Sequence, residues 1–82
     1  MKYKIEVVSI EGGIDILFSD SASTKKSAIN KAIKLSKKHN KKGVNSLGWL
    51  SQESVWIERF DDFDLREQWQ FINGEKVYYT TQ

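Results

Sequence analysis

Eight lysines and no acidic residue lie within residues 23–43, STKKSAINKAIKLSKKHNKKG, although the net charge of the whole chain is only +2. Ammonium groups at this density bind the phosphates of a nucleic acid, or the carboxylates of an acidic protein, as point charges. Charge is unevenly distributed: residues 1–20 sum to −2, residues 21–52 to +8 and residues 53–82 to −4. The residue types therefore indicate that one cationic segment binds an anion.

Three interpretations of these lysines stay open. They form a solvated surface, or they contact nucleic-acid phosphate, or they contact an acidic protein surface or a protein site for which nucleic acid competes. Eleven lysines against two arginines argue against base-specific readout, because that readout favours the bidentate arginine fork.

The lysine segment has the periodicity of an amphipathic helix from Ser23 to about Lys42. We expect Ser23 to be the N-cap and Gly43 to end the helix as the C′ glycine. The positions expected to face the core are Ala28, Ile29, Ala32, Ile33, Leu35 and Ser36. The residues expected to contact a partner are Lys31, Lys34, Lys37, Lys38, Lys41 and Lys42. Like charges three or four residues apart destabilise a helix by about 0.2–0.5 kcal/mol per pair, so an anionic partner would relieve a real cost.

No residue pattern indicates catalysis or a metal site. In DDFDLRE, residues 61–67, Asp62 and Asp64 supply only the first spacing of a calcium loop, and the required glycine is absent. This segment is interpreted as an acidic loop between strands, with an acidic contact patch as the alternative. His39 has no second ligand with zinc spacing and no nucleophile motif beside it. We therefore expect a non-enzymatic protein without cofactor, metal or small-molecule substrate.

Alternating apolar residues predict five strands around the helix. Tyr3, Ile5 and Val7 are expected to share one face of the first strand. Ile14, Ile16 and Phe18 are expected to share one face of the second. The predicted strands are residues 2–10, 14–19, 54–60, 66–72 and 76–81, with turns at Glu11-Gly12-Gly13, 61–64 and Asn73-Gly74.

The predicted fold class is α+β, in the order ββαβββ. A five-stranded, mainly antiparallel sheet carries one amphipathic helix on one face, within a single domain of residues 1–82. The other face is polar, or a binding surface, or covered by residues 44–53, whose Leu47, Trp49 and Leu50 we expect to fold onto the body. The register after Asn73-Gly74 stays open, because the length of the turn decides every pairing.

The aromatic residues Trp56, Trp69, Tyr78 and Tyr79 are interpreted as core, with a contact platform on the uncovered face as the alternative. Alternation directs at least one of the adjacent tyrosines outward, and Tyr78 is the predicted contact residue. The start, MKYKIEVV, is charged and alternating, without the apolar run of a signal peptide or a membrane span. We therefore expect a cytoplasmic protein that does not interact with membranes.

The order of elements, from a hairpin through an Ala/Ser/Lys helix to an aromatic terminal hairpin, WQFINGEKVYYTTQ, resembles short anti-CRISPR proteins of the type I-F group. The resemblance covers nearly the whole chain at the level of pattern. It implies a phage-encoded, non-enzymatic inhibitor that binds the nucleic-acid-handling subunits of a host defence complex, sometimes with DNA affinity of its own. The alternatives are a nucleic-acid-binding accessory protein without sequence specificity and a small structural or assembly protein.

Overall fold

The computed structural model describes residues 3–10, 13–44 and 46–82. Its elements are, in chain order, β1 (Tyr3–Ile10), β2 (Ile14–Ala22), α1 (Lys25–Lys38), β3 (Lys42–Val44), β4 (Leu50–Asp61), β5 (Asp64–Ile72) and β6 (Glu75–Thr81). The main sheet has the order β2-β1-β4-β5-β6, and every pairing is antiparallel. The predicted α+β class with one helix and a mainly antiparallel sheet is confirmed.

The core lies between the helix and one face of the sheet. Ile5 and Val7 from β1 and Val55 and Ile57 from β4 are completely buried, and Trp69 is nearly so. The helix contributes small residues, Ala28, Ala32 and Ser36, which let its backbone approach the sheet closely. The prediction that Tyr3, Ile5 and Val7 share one face is confirmed, and that face points to the core. Among the residues that the structure describes, no helix covers the opposite sheet face, and we call it the open face.

The number of strands was predicted wrongly, since six are present in the described part of the chain. The additional strand is β3, which pairs with the start of β4 through Gly43↔Ser51 and Val44↔Leu50. Residues 44–53 were expected to cover the body of the protein. Instead Val44 pairs with Leu50 in a β3–β4 hairpin, and Leu47 and Leu50 are each 72% exposed. Backbone pairing along β4 replaces the expected burial of this segment.

A bulge in β2 corrects the predicted facing of its apolar residues. Ile16 pairs with Val8, whereas Phe18 pairs with Val7, so Leu17 is an extra residue without a partner position on β1. Neighbouring residues of a strand point to opposite faces, and a bulge therefore reverses the alternation. Ile16 lies on the open face and Phe18 on the helix side. The predicted turn at residues 11 and 12 lies outside the described residues.

The turn at Asn73-Gly74 is confirmed and has two central residues with positive φ angles, 49° and 82°. That combination is typical of a type I′ hairpin. The register then shifts, because Phe71 pairs with Lys76 but Gln70 pairs with Tyr78. Val77 is the extra residue of this bulge, and Trp69 consequently lies opposite Tyr79.

The same turn docks onto the end of the helix. Gly74 donates its backbone N–H to the Oγ of Ser36 at 2.8 Å, and the Ser36 hydroxyl donates to the carbonyl of Ile33. The Asn40 side chain donates to Asn73 at 3.0 Å. The bonds at Ser36 satisfy a hydroxyl that would otherwise be costly to bury, and all three bonds fix the helix relative to the β5–β6 hairpin.

We predict that Gly74→Ala destabilises the fold by about 1–2 kcal/mol, the usual cost of a left-handed conformation for a residue with a Cβ atom. The new Cβ would also come within 2.6 Å of Cε of Lys37, which would have to move. Urea denaturation followed by tryptophan fluorescence measures this loss. Gly13→Ala is the matched control, because a Cβ there meets no atom within 4 Å. Equal effects of the two substitutions would contradict the role of the turn.

A polar cluster joins β4, β5 and β6 on the helix side of the sheet. Arg59 contacts Glu67 at 2.6 Å, and the Tyr79 hydroxyl donates to the other Glu67 oxygen at 2.7 Å. The bond from Tyr79, aided by Arg59, holds the pKa of Glu67 below its usual range, and the same bond raises the pKa of Tyr79. A carboxyl with a lowered folded-state pKa stabilises the fold above its unfolded value, near 4.3, and loses this contribution as the pH falls through the lower, folded-state value.

Tyr79→Phe should therefore lower the free energy of unfolding at pH 7, and the difference from wild type should shrink at pH 3, which lies below the unfolded-state value of about 4.3 and towards the lowered folded-state one. Urea denaturation of both proteins at the two pH values tests this. The control is Tyr78→Phe, which removes a hydroxyl from the open face and should keep the wild-type pH profile. A Tyr79→Phe effect of the same size at both pH values would rule out the proposed linkage.

Candidate functional site: the lysine surface of the helix

The helix starts and ends inside the predicted bounds. Thr24, in an extended conformation, is the N-cap, and its hydroxyl accepts the backbone N–H of Ser27 at 3.2 Å, so Ser23 is not the cap. The last helical residue is Lys38, and the backbone N–H of His39 donates to the Leu35 carbonyl. Capping at Thr24 satisfies one of the backbone N–H groups that are left unpaired at the start of the 14-residue helix.

The outward side of the helix is cationic. Lys26, Lys34, Lys37 and Lys38 are exposed, whereas Ile29, Ile33 and Leu35 are partly buried against the core. We call these four lysines the lysine surface. Among the described residues, no carboxylate oxygen is found within 4.0 Å of their ammonium nitrogens. Their charge is therefore available to a partner.

Lys31 lies on the flank of the helix beside β2, apart from the four lysines of the surface. Its ammonium group contacts the Asp20 carboxylate at 3.4 Å and donates to the Ser21 carbonyl at 2.9 Å. The pKa of Asp20 is lowered, first by a hydrogen bond from the Ser21 backbone N–H and further by Lys31. Of the six predicted contact lysines, Lys31 is thus the one whose ammonium group pairs with a carboxylate among the described residues.

Lys41 and Lys42 do not belong to the helix, which corrects the prediction that it extends to about Lys42. Lys41 precedes β3, and its backbone N–H donates to Glu53 Oε1 at 2.9 Å. Lys42 pairs with Gln52 in the sheet, so Gly43 is a strand residue rather than a helix stop. Alternation along β4 puts Lys42 on the side of the sheet that Trp56 occupies, away from the helix.

Tyr78 is also separated from the lysine surface. It pairs with Gln70 and lies on the open face, where its ring meets that of Trp56 edge-on at 5.9 Å between centroids. Tyr79 points to the helix side and packs against Trp69 at 5.2 Å. The predicted contact residues are thus divided between two faces of the molecule.

A cation–aromatic contact was not anticipated from the sequence. The Lys25 ammonium lies 5.6 Å from the centre of the Trp69 ring, and Lys76 lies 5.5 Å from the Tyr79 ring. Cations over aromatic faces are attracted by the ring quadrupole. Lys25 therefore has a structural role that separates it from the four lysines of the surface. Nothing in the spacing of residues 25 and 69 indicates this contact.

The hairpin of β3 and β4 adds exposed apolar residues directly after the cationic helix. Leu47 and Leu50 are 72% exposed, Val44 is 63% exposed and Trp49 is 52% exposed. Exposed apolar residues beside charged ones are typical of surfaces that bind another protein.

The acidic turn between β4 and β5 is neutralised in part by the chain itself. Arg66 contacts Asp61 at 3.8 Å and Asp64 at 3.6 Å. Within the described residues, no group of His, Cys, Asp and Glu side chains could hold a metal ion. The described part of the chain also contains no helix with the length and hydropathy needed to cross a membrane.

Comparison with known proteins identifies no matching family, no similar curated sequence and no matching solved structure. The side chains of this protein are therefore the basis for inferring what it does.

Repulsion among the helix lysines should lower the free energy of unfolding by a measurable amount. Lys34 has Lys37 and Lys38 at three or four residues' spacing, and two such pairs cost roughly 0.4–1.0 kcal/mol at low salt. Lys34→Gln should stabilise the protein by about that amount, and the gain should shrink in 1 M salt because of screening. Urea denaturation at both salt concentrations measures it. Lys42→Gln, the same charge change outside the helix, is the control. The repulsion is refuted if both variants have equal stability at low salt.

Proposed function

We propose that this protein is a non-enzymatic binding protein that contacts a protein partner through the lysine surface of its helix. The observation that carries the proposal is that Lys34, Lys37 and Lys38 stand together on the outer side of the helix without a carboxylate partner among the described residues. Such an arrangement is costly for an isolated molecule and becomes favourable opposite an acidic surface.

A protein partner is favoured over nucleic acid by the apolar hairpin that follows the helix. Val44, Leu47 and Leu50 are more than half exposed. Duplex DNA offers a backbone of phosphates to the lysines but little that would cover these side chains. Alternation puts Val44 and Leu50 on the side of the sheet that Lys42 occupies, and a protein partner that extends around the hairpin reaches both these residues and the lysine surface.

The resemblance to type I-F anti-CRISPR proteins extends this proposal. On that basis the protein is encoded by a phage, acts in the host cytoplasm and inhibits a defence complex by occupying one of its nucleic-acid-handling subunits. Direct binding of nucleic acid by the lysine surface is the rival function, and the two differ in their dependence on salt.

We expect Lys34→Glu/Lys38→Glu to abolish binding of the protein partner while the fold is kept or stabilised. Tagged wild-type protein and the double variant are used to capture proteins from a nuclease-treated lysate of a candidate bacterial host. The captured protein is then purified and titrated against both. Two single variants make a matched comparison. Lys34→Glu should weaken binding, whereas Lys42→Glu makes the same charge change outside the helix and should bind like wild type. Undiminished binding by the double variant would show that the lysine surface is not the interface.

The rival function is tested with a 20-base-pair duplex of mixed sequence, using fluorescence anisotropy at 50 and 200 mM salt. If the four lysines neutralise four phosphates, affinity falls roughly 150-fold between these concentrations. A salt dependence of that size, lost in the double variant, would favour nucleic acid over a protein partner. Weak duplex binding at 200 mM salt, together with partner capture after nuclease treatment, supports the proposal.

A further inference from the structure

A groove of about 350 Å³ crosses the open face of the sheet, on the side away from the lysine surface. Ile10, Ile14 and Ile16 line one end of it, Val8 and Trp56 lie in the middle, and Glu6, Glu58 and Gln68 line the other end. The cross-strand pairs Ile10↔Ile14, Val8↔Ile16 and Glu6↔Trp56 place these side chains on one face. The groove is thus apolar at one end and acidic at the other.

The isoleucine side chains at the apolar end of the groove are exposed to solvent. Ile14 is 71% exposed, Ile16 58% and Ile10 41%, whereas Val8 beneath them is buried. Ile14 and Ile16 belong to β2, which is the edge strand of the sheet. Adjacent exposed isoleucines on a sheet face lose contact with water when an apolar chain covers them, which favours binding.

The acidic end contains two carboxylates, Glu6 and Glu58, with one cation beside them, Lys4, which lies opposite Glu58 in the β1–β4 pairing. Glu58 is partly buried and accepts a long hydrogen bond from Gln68 at 3.4 Å, while the nearby Lys4 ammonium contacts Glu6 at 3.3 Å. Burial raises the pKa of Glu58, Lys4 opposes that rise, and Glu6 beside it adds to it. A cation placed against Glu58 would offset this desolvation.

The aromatic ring between the two ends is held in place. Trp56 meets the Tyr78 ring edge-on at 5.9 Å, so one neighbour already fixes its orientation. Indole faces attract ammonium and guanidinium groups, and the methylene stems of Lys and Arg pack well along apolar surface.

We propose that this groove binds an apolar, extended segment of a protein partner through one basic side chain. The stem of that Arg or Lys lies along Trp56, its cationic group pairs with Glu58, and its apolar neighbours cover Ile14 and Ile16. The surface is distinct from the lysine surface in position and in charge. One copy of the protein can therefore contact a basic element on its sheet while the helix contacts an acidic one.

A partner protein suits the groove better than the helix of a second copy. The outer side of the helix carries Asn30 and Ser27 between its lysines, and these polar residues would not cover the isoleucines. The ligand must instead combine a cation with apolar side chains on the same segment, as an extended peptide does.

The test uses an acetylated and amidated seven-residue peptide with one central arginine flanked by valine and serine. A second peptide replaces the arginine with citrulline, which keeps the shape and removes the charge. Binding to the full chain is followed by NMR through the Trp56 indole N–H. We expect the arginine peptide to bind at least tenfold more tightly than the citrulline peptide. We also expect Ile16→Ser to weaken both peptides while keeping that preference.

Glu58→Gln should abolish the preference for arginine, and its amide spectrum shows whether the variant is folded. Asp62→Asn is the matched control, because it removes one carboxylate from the β4–β5 turn at a position with positive φ that Asn tolerates. Equal affinities of wild type for the two peptides would overturn the proposal, as would a preference that survives Glu58→Gln. Sedimentation of the protein alone tests whether a second copy of the protein occupies the groove. A dimer that the arginine peptide dissociates would assign the groove to a second copy and refute the protein-partner proposal.

Discussion

The structure depends on one constraint: a single 14-residue helix has to bury one face of a six-stranded sheet. It does so with Ala28, Ala32 and Ser36, residues small enough to bring the helix backbone close to Ile5 and Ile57. A stripe of small residues on one side of a helix leaves the polar residues to the other side. The cationic exterior and the uncovered sheet face both result from this packing.

Hydrogen bonds at one end of the helix and ring contacts at the other set its position on the sheet. The β5–β6 turn is bonded to Ser36 and Asn40, while Lys25 lies over Trp69 near the start of the helix. The cationic side is therefore held in a defined orientation relative to β5. A rigid arrangement of charges loses less entropy on binding than a mobile one.

The two surfaces differ in chemistry because the strands alternate. Along β4, Val55 and Ile57 enter the core, so Trp56 and Glu58 must point to the open face. Partial burial of the Glu58 carboxylate on this face is costly for an isolated protein, as is the repulsion among the helix lysines. Both costs diminish when a partner of complementary charge is bound, which is the physical link between the two proposals.

The sequence alone determined the local features, because each depends on residues close together in the chain. Helical periodicity predicted that Ala28 and Ala32 face the core, and alternation predicted that Val55 and Ile57 share one face of their strand. The dipeptide Asn73-Gly74 predicted a hairpin turn. The candidate site was predicted in part: Lys34, Lys37 and Lys38 lie outward as the 3.6-residue period requires.

Only the tertiary structure decided the features that depend on distant residues. Lys42 belongs to β3 rather than to the expected helix, because its strand pairs with the backbone groups of β4. The pairing of Lys31 with Asp20 and the location of Tyr78 on the open face follow from which strands are neighbours. Periodicity assigns a residue to a face of its own element, but the neighbour of that face is chosen by the packing of the whole chain.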